Sequence, residues 1–240
     1  YVPPQVVNEL IIHPENLKLG GEKREMTVMF ADVVGFTGVA EELTPDMLVS
    51  LLNEYLAEMS EVVLEHDGII DKYEGDLIMA EWGAPIYFSD HAAKACQAAL
   101  KMQERLETLR SGWKSRTLPE LYTRIGINTG EMIVGNMGCR EVFDYTVMGD
   151  AVNIASRLEG ANKAYSTQIL IGEITREKVR HDYMTRPVDK IRVKGRQEPV
   201  QAFELLGTND NFPASEREKM LKAYLAGIDH YRNRDFERGR

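Results

Sequence analysis

The chain has 240 residues, 43% hydrophobic and 28% charged, which suffices for one sizeable core with appended segments. Its formal charge of −9, from 29 basic against 38 acidic side chains, argues against a nucleic-acid backbone or an anionic membrane as main partner. Only Cys96 and Cys139 are present, so no disulfide framework or cysteine zinc site is expected, and the setting is read as reducing and cytoplasmic. No run approaches the roughly 20 apolar residues that cross a bilayer.

Residues 1–25 form a mixed, proline-containing lead-in, and a β-prone run at Met26–Ala31 predicts the first strand, ending in Asp32. Thr44-Pro45 supplies an N-cap followed by proline at the first helical position, and apolar residues keep a helical period to about His66. Two short strands, 69–73 and 77–82, follow around the turn Glu74-Gly75-Asp76, then an Ala- and Leu-rich helix over 89–110. Thr129-Gly130 predicts a hairpin turn between strands 121–128 and 132–136. A further strand pair is expected around 143–148, a helix over 150–162, and shorter β and α pieces over 167–206. The order implies an α+β sandwich of ferredoxin-like or palm type, with helices on one face of a mostly antiparallel sheet. The expected organisation is a lead-in to residue 25, a catalytic domain over 26–207, and a linker over 208–240 that opens a helical, tetratricopeptide-like region.

Three segments could carry chemistry. In Phe30-Ala-Asp32-Val33-Val-Gly35-Phe36-Thr37, an acid at a strand end precedes a loop whose backbone N–H groups can meet phosphate, although a capped turn has the same pattern. Asp71-Lys72-Tyr-Glu-Gly75-Asp76 places a second carboxylate at a turn, where Asp is ordinary. Together Asp32 and Asp76, at the ends of strands that can be neighbours, supply what two Mg²⁺ ions on a triphosphate require. Asn153 and Arg157 share one helix face, which suits a developing pentavalent phosphate, although a pair at this spacing, taken alone, reads first as a solvated polar stripe.

In this order and at these spacings the segments resemble the catalytic core of class III adenylyl cyclases, from about Glu25 to Leu206, and Gly126-Ile-Asn-Thr-Gly130 and Val134-Gly-Asn-Met-Gly138 resemble a further stretch of that family. The resemblance implies that Asp32 and Asp76, with the Val33 carbonyl, bind Mg²⁺ or Mn²⁺, two ions per active site. It implies that backbone N–H groups of Gly35, Phe36 and Thr37 hold phosphates, joined by Lys194. Lys72 would read adenine N1 and Thr146 the exocyclic amine; Asn153 would orient the ribose and Arg157 stabilise the transition state. A lysine donor with a threonine acceptor fits adenine, whereas guanylyl cyclases typically carry an acid at the lysine position. The Thr146 version resembles the subgroup that responds to bicarbonate. Val142 stands where the family commonly has a basic residue, and Arg140 is the candidate substitute.

The resemblance further implies ATP as substrate, cyclic AMP as product, and a C₂ homodimer whose sites each draw on both subunits. A guanylyl cyclase and a catalytically silent nucleotide-binding dimerisation module are the alternatives. The five histidines have no metal-ligand spacing and are expected to be surface or core residues.

Overall fold

The computed structural model describes residues 7, 11–12, 19–139, 141–192, 199–211 and 214–233. Strand β1 (Gly20–Val33) is the spine. Helix α1 (Phe36–Glu42) and helix α2 (Pro45–Glu65) follow, then β2 (Ile69–Glu74), β3 (Leu77–Trp82) and helix α3 (His91–Ser115). Strands β4 (Thr123–Gly138) and β5 (Phe143–Met148) lead into helix α4 (Asp150–Tyr165). The remainder comprises β6 (Ile169–Gly172), α5 (Glu173–Val179), β7 (Tyr183–Ile191), β8 (Val200–Thr208) and α6 (Ala214–Arg232). The strands form one sheet in the order β2-β3-β1-β4-β6-β8-β7, with β5 pairing the far half of β4. Every pairing is antiparallel except β4 with β6. This is the expected α+β class.

Three expectations are corrected. The predicted hairpin is one continuous strand: Thr129 and Gly130 pair with Thr27 and Met26 in an unbroken register with β1. Thr129 is also buried and hydrogen-bonded to Thr27 and Thr175, so cross-strand pairing overrides a turn-like dipeptide. The first strand begins at Gly20, extended by the same pairing. The helices do not share one face. Met29, Ala31, Ile78, Trp82, Ile125 and Ile127 pack in one cluster with the buried sides of α2 and α3, whereas Met26, Val28, Met132 and Val134 pack with Ala151, Val152 and Ala155 of α4. Alternation along each strand therefore sends α4 to the opposite face. Gly126 permits its close approach, since a Cβ there would lie 2.2 Å from the Ala155 carbonyl oxygen and from the Glu159 nitrogen.

Helix α2 starts as its sequence dictates, with Thr44 accepting from the Met47 N–H at 3.4 Å and Pro45 in the first turn. Its Leu51, Tyr55 and Met59 are fully buried with Met102 and Leu106 of α3, and each apolar side chain so buried contributes roughly 1.5–3 kcal/mol. Among the described residues no helix is long and apolar enough to cross a membrane. Helix α6 meets the sheet where the Arg186 guanidinium lies over the Tyr224 ring, 4.6 Å from its centroid.

Candidate active site

The candidate residues gather into three groups. The first lies at the end of β1. Asp32 and Asp76 adjoin, and the Val33 N–H donates to Asp76 Oδ2 at 3.3 Å. Burial, and then the charge of Asp76, push the Asp32 carboxyl up to about 6, while the Val33 N–H and Arg124 pull it back. Such a pair of carboxylates is relieved by a hard divalent cation. Among the described residues no cluster of three or more His, Cys, Asp or Glu side chains is assembled to hold a metal. The donors present therefore fit an ion whose shell is completed by backbone carbonyl, water and substrate phosphate, as Mg²⁺ commonly has.

The sequence did not point to two further residues of this group. Arg124 lies directly opposite Asp32 in the β1–β4 register, which puts its guanidinium on the same face. Glu159 projects from α4; burial, then Asp32, push its carboxyl up to about 7, Arg124 counteracts, and Asp76 adds a smaller upward push. Beyond Val33 the chain turns through Gly35, whose φ of 69° lies in the left-handed region and lets α1 begin at Phe36. The first turn of a helix leaves its N–H groups without intrahelical acceptors, so Gly35, Phe36 and Thr37 present donors beside the paired carboxylates.

The second group joins β2 to β5. A register shift between Ile70 and Lys72 inserts Asp71 as an extra residue in β2. Asp71 Oδ2 accepts from Thr146 Oγ1 at 2.5 Å, and Lys72 Nζ lies 3.2 Å from Asp71 Oδ1. Lys72 and Thr146, selected from the sequence as separate readers of one base, thus converge on one buried carboxylate. Nearby, Glu81 on β3 is fully buried, and among the described residues neither of its oxygens has a hydrogen-bond partner. Burial, reinforced by the charge of Asp71, pushes its carboxyl well up, with Lys72 opposing.

A pH dependence follows from Glu81. A carboxyl raised on folding contributes stability that is complete below its unfolded value near 4.5 and is lost as pH climbs toward its folded value. Glu81→Gln should therefore flatten the fall in stability between pH 5 and pH 8. At pH 8 the expected gain over wild type is at least about 1 kcal/mol, or about 2–4 °C in Tm. Thermal melts at the two pH values check this, and parallel pH profiles for the two proteins would contradict it.

The third group is on α4. Asn153 and Arg157 are exposed and line an open cavity of about 730 Å³ with Ser156, Gly160, Ala161, Ile191 and Arg192. Among the described residues no hydrogen bond links Asn153 or Arg157 to Asp32, Asp76, Lys72 or Thr146. Lys194 and Arg140 lie outside the described residues, and Val142 is 71% exposed.

A sheet of this topology with paired carboxylates at one strand end, a glycine turn beside them and an Asn/Arg helix face defines a class. The sequence model of the Adenylate and Guanylate cyclase catalytic domain matches residues 21–207, and the chain belongs to that family. Among individual proteins it is 40% identical over 210 residues to Adenylate cyclase 1 of Rhizobium meliloti, covering 86% of this chain and 31% of that protein. The chain thus spans about a third of that relative's length. The fold is similar to that of the adenylyl cyclase CyaB from P. aeruginosa, with a TM-score of 0.75 and 36% identity, covering 81% of this chain and 100% of that one. It is also similar to that of the guanylyl cyclase Cya2, with a TM-score of 0.72 and 33% identity over 81% of this chain and 98% of the other.

Proposed function

We propose that the chain is an adenylyl cyclase domain that converts ATP to 3′,5′-cyclic AMP and pyrophosphate. The observation that carries the choice of nucleotide is the convergence of Lys72 and Thr146 on Asp71. An ammonium donor beside a hydroxyl oxygen complements adenine, which presents an acceptor at N1 and a donor at its exocyclic amine. Guanine presents the reverse pattern at both positions.

The residues divide the work by chemistry. The donors of Gly35, Phe36 and Thr37, with Arg124 opposite Asp32, suit the triphosphate. Lys194 is a further candidate for the terminal phosphates. Asp32 and Asp76, with the Val33 carbonyl, would hold Mg²⁺ or Mn²⁺, two ions per site. Bound there, such ions neutralise phosphate charge and acidify the ribose 3′-OH. Asn153 holds the ribose so that the 3′ oxygen lies in line with the α-phosphorus. The new 3′ O–P bond forms as the bond to the β-phosphate oxygen breaks, pyrophosphate leaves, and the 3′-OH proton passes to water or phosphate. Arg157 meets the charge that grows on the α-phosphate as the transition state forms.

Each site is proposed to form between two copies of the chain, with the carboxylates from one and Lys72, Thr146, Asn153 and Arg157 from the other. The proposed setting is the cytoplasm, and the Lys72/Thr146 combination makes bicarbonate the activator to titrate. The test is which cyclic nucleotide forms when ATP or GTP is supplied with Mg²⁺ or Mn²⁺. Cyclic AMP alone is expected; cyclic GMP alone would transfer the assignment to a guanylyl cyclase.

A further inference from the structure

We infer that Asp71 is a specificity-determining positioning residue: by accepting the Thr146 hydroxyl proton it fixes that hydroxyl as an acceptor toward the base. The inference rests on the reading that Lys72 and Thr146 meet the purine. A threonine hydroxyl alone cannot discriminate, because it carries one proton to donate and lone pairs to accept, and its hydrogen rotates to suit either partner. Next to a free threonine, the amino group of adenine and the carbonyl of guanine would both be served.

The structure removes that freedom. Thr146 is buried to 8% exposure and its Oγ1 donates to Asp71 Oδ2 at 2.5 Å. The Asp71 side chain is itself only 1% exposed. Burial pushes the Asp71 carboxyl up, and the groups that pull it back are the Thr146 hydroxyl, the Lys72 ammonium 3.2 Å from Oδ1 and the Val147 backbone N–H, all of which offer it hydrogens or positive charge. A carboxylate that takes the Thr146 hydroxyl on one oxygen and faces an ammonium on the other accepts and has no proton to return, so the Thr146 hydrogen points at Asp71. The remaining Thr146 lone pairs can accept from an exocyclic amine and repel a carbonyl. The same carboxylate restrains the Lys72 ammonium, so both readers are aligned by one residue. The inserted position of Asp71 in β2 makes this possible, because neighbouring residues of a regular strand point to opposite faces.

The experiment is the ratio of kcat/KM for ATP to that for GTP, in wild type, Asp71→Asn, Thr146→Val and the double variant. Both nucleotides are measured on one preparation, so the ratio is independent of how much protein is folded. Asp71→Asn supplies an amide that can donate to Thr146 and release its proton, and the ratio should fall about tenfold. Thr146→Val should also lower the ratio, and the double variant should be no less selective than Thr146→Val alone. If Thr146→Val lowers the ratio while Asp71→Asn leaves it within about twofold of wild type, the inference is overturned and the base-reading assignment stands. If Thr146→Val leaves the ratio unchanged, the assignment falls and the inference with it. Should Asp71→Asn not fold, the wild-type protein decides by NMR on threonine-labelled material. A Thr146 hydroxyl proton that is downfield and slow to exchange supports the inference, and one exchanging like that of a surface threonine overturns it.

Discussion

Arg157→Ala is expected to lower cyclic AMP formation by on the order of 10²–10³ in kcat, by analogy with the loss of one preorganised donor to a developing oxyanion. The KM for ATP should move far less, because the contact strengthens only as charge accumulates in the transition state. The position makes the result interpretable. Arg157 is exposed on α4 at the rim of an open cavity, while the packing of that helix is carried by Ala151, Val152, Ile154, Ala155 and Leu158. Substitution at an exposed helical site normally changes stability by no more than about 0.5 kcal/mol. An unaltered melting curve with a collapsed kcat would therefore place the effect in the chemistry. A tenfold rise in KM with kcat preserved would instead make Arg157 a ground-state binding residue.

The second large effect concerns assembly. Asp32→Ala and Asn153→Ala should each leave almost no activity, yet mixing them should restore it. If each site draws its carboxylates from one subunit and its α4 face from the other, a mixed dimer has one doubly damaged site and one intact site. With free exchange at equal amounts, half the dimers are mixed and half their sites work, so about a quarter of wild-type activity is expected. The grouping of the residues motivates this. Asp32 and Asp76 adjoin each other, whereas Asn153 and Arg157 line a cavity on the exposed side of α4. Lys72 and Asp76 lie close in sequence, on one strand and the turn that ends it, but would serve different sites. An inactive mixture, under conditions where subunit exchange is demonstrated, would contradict the shared site.

Much of the architecture was legible because local chemistry and tertiary demand agreed. The α2 N-terminus at Thr44-Pro45 and the turn at Gly75 are examples, and Asp32 and Asp76 could be placed together because two strand ends sufficed to locate them. The rest required information that does not reside in a short window. Thr129-Gly130 has turn chemistry, and only the register with β1 makes it the middle of a strand. Arg124 became visible as a site residue through that same register, as the partner of Asp32. The face taken by α4 depended on Gly126 lacking a side chain where the helix crosses. Simple alternation along a strand separates Asp71 from Lys72, and the irregularity that unites them leaves no simple signature in the sequence. Glu81, a buried carboxylate inside an otherwise apolar run, is a local contradiction visible in the sequence itself.

Product formation from ATP and from GTP, with Mg²⁺, with Mn²⁺ and with a chelator, on wild type and Asp32→Ala, decides whether this domain is a metal-dependent adenylyl cyclase. Cyclic AMP is expected from ATP in the presence of a divalent ion, with nothing comparable from GTP and loss of product in the chelated and Asp32→Ala samples. A folded, dimeric protein that forms no cyclic AMP with either metal, or forms it undiminished without Asp32, is not the two-metal adenylyl cyclase proposed for this chain.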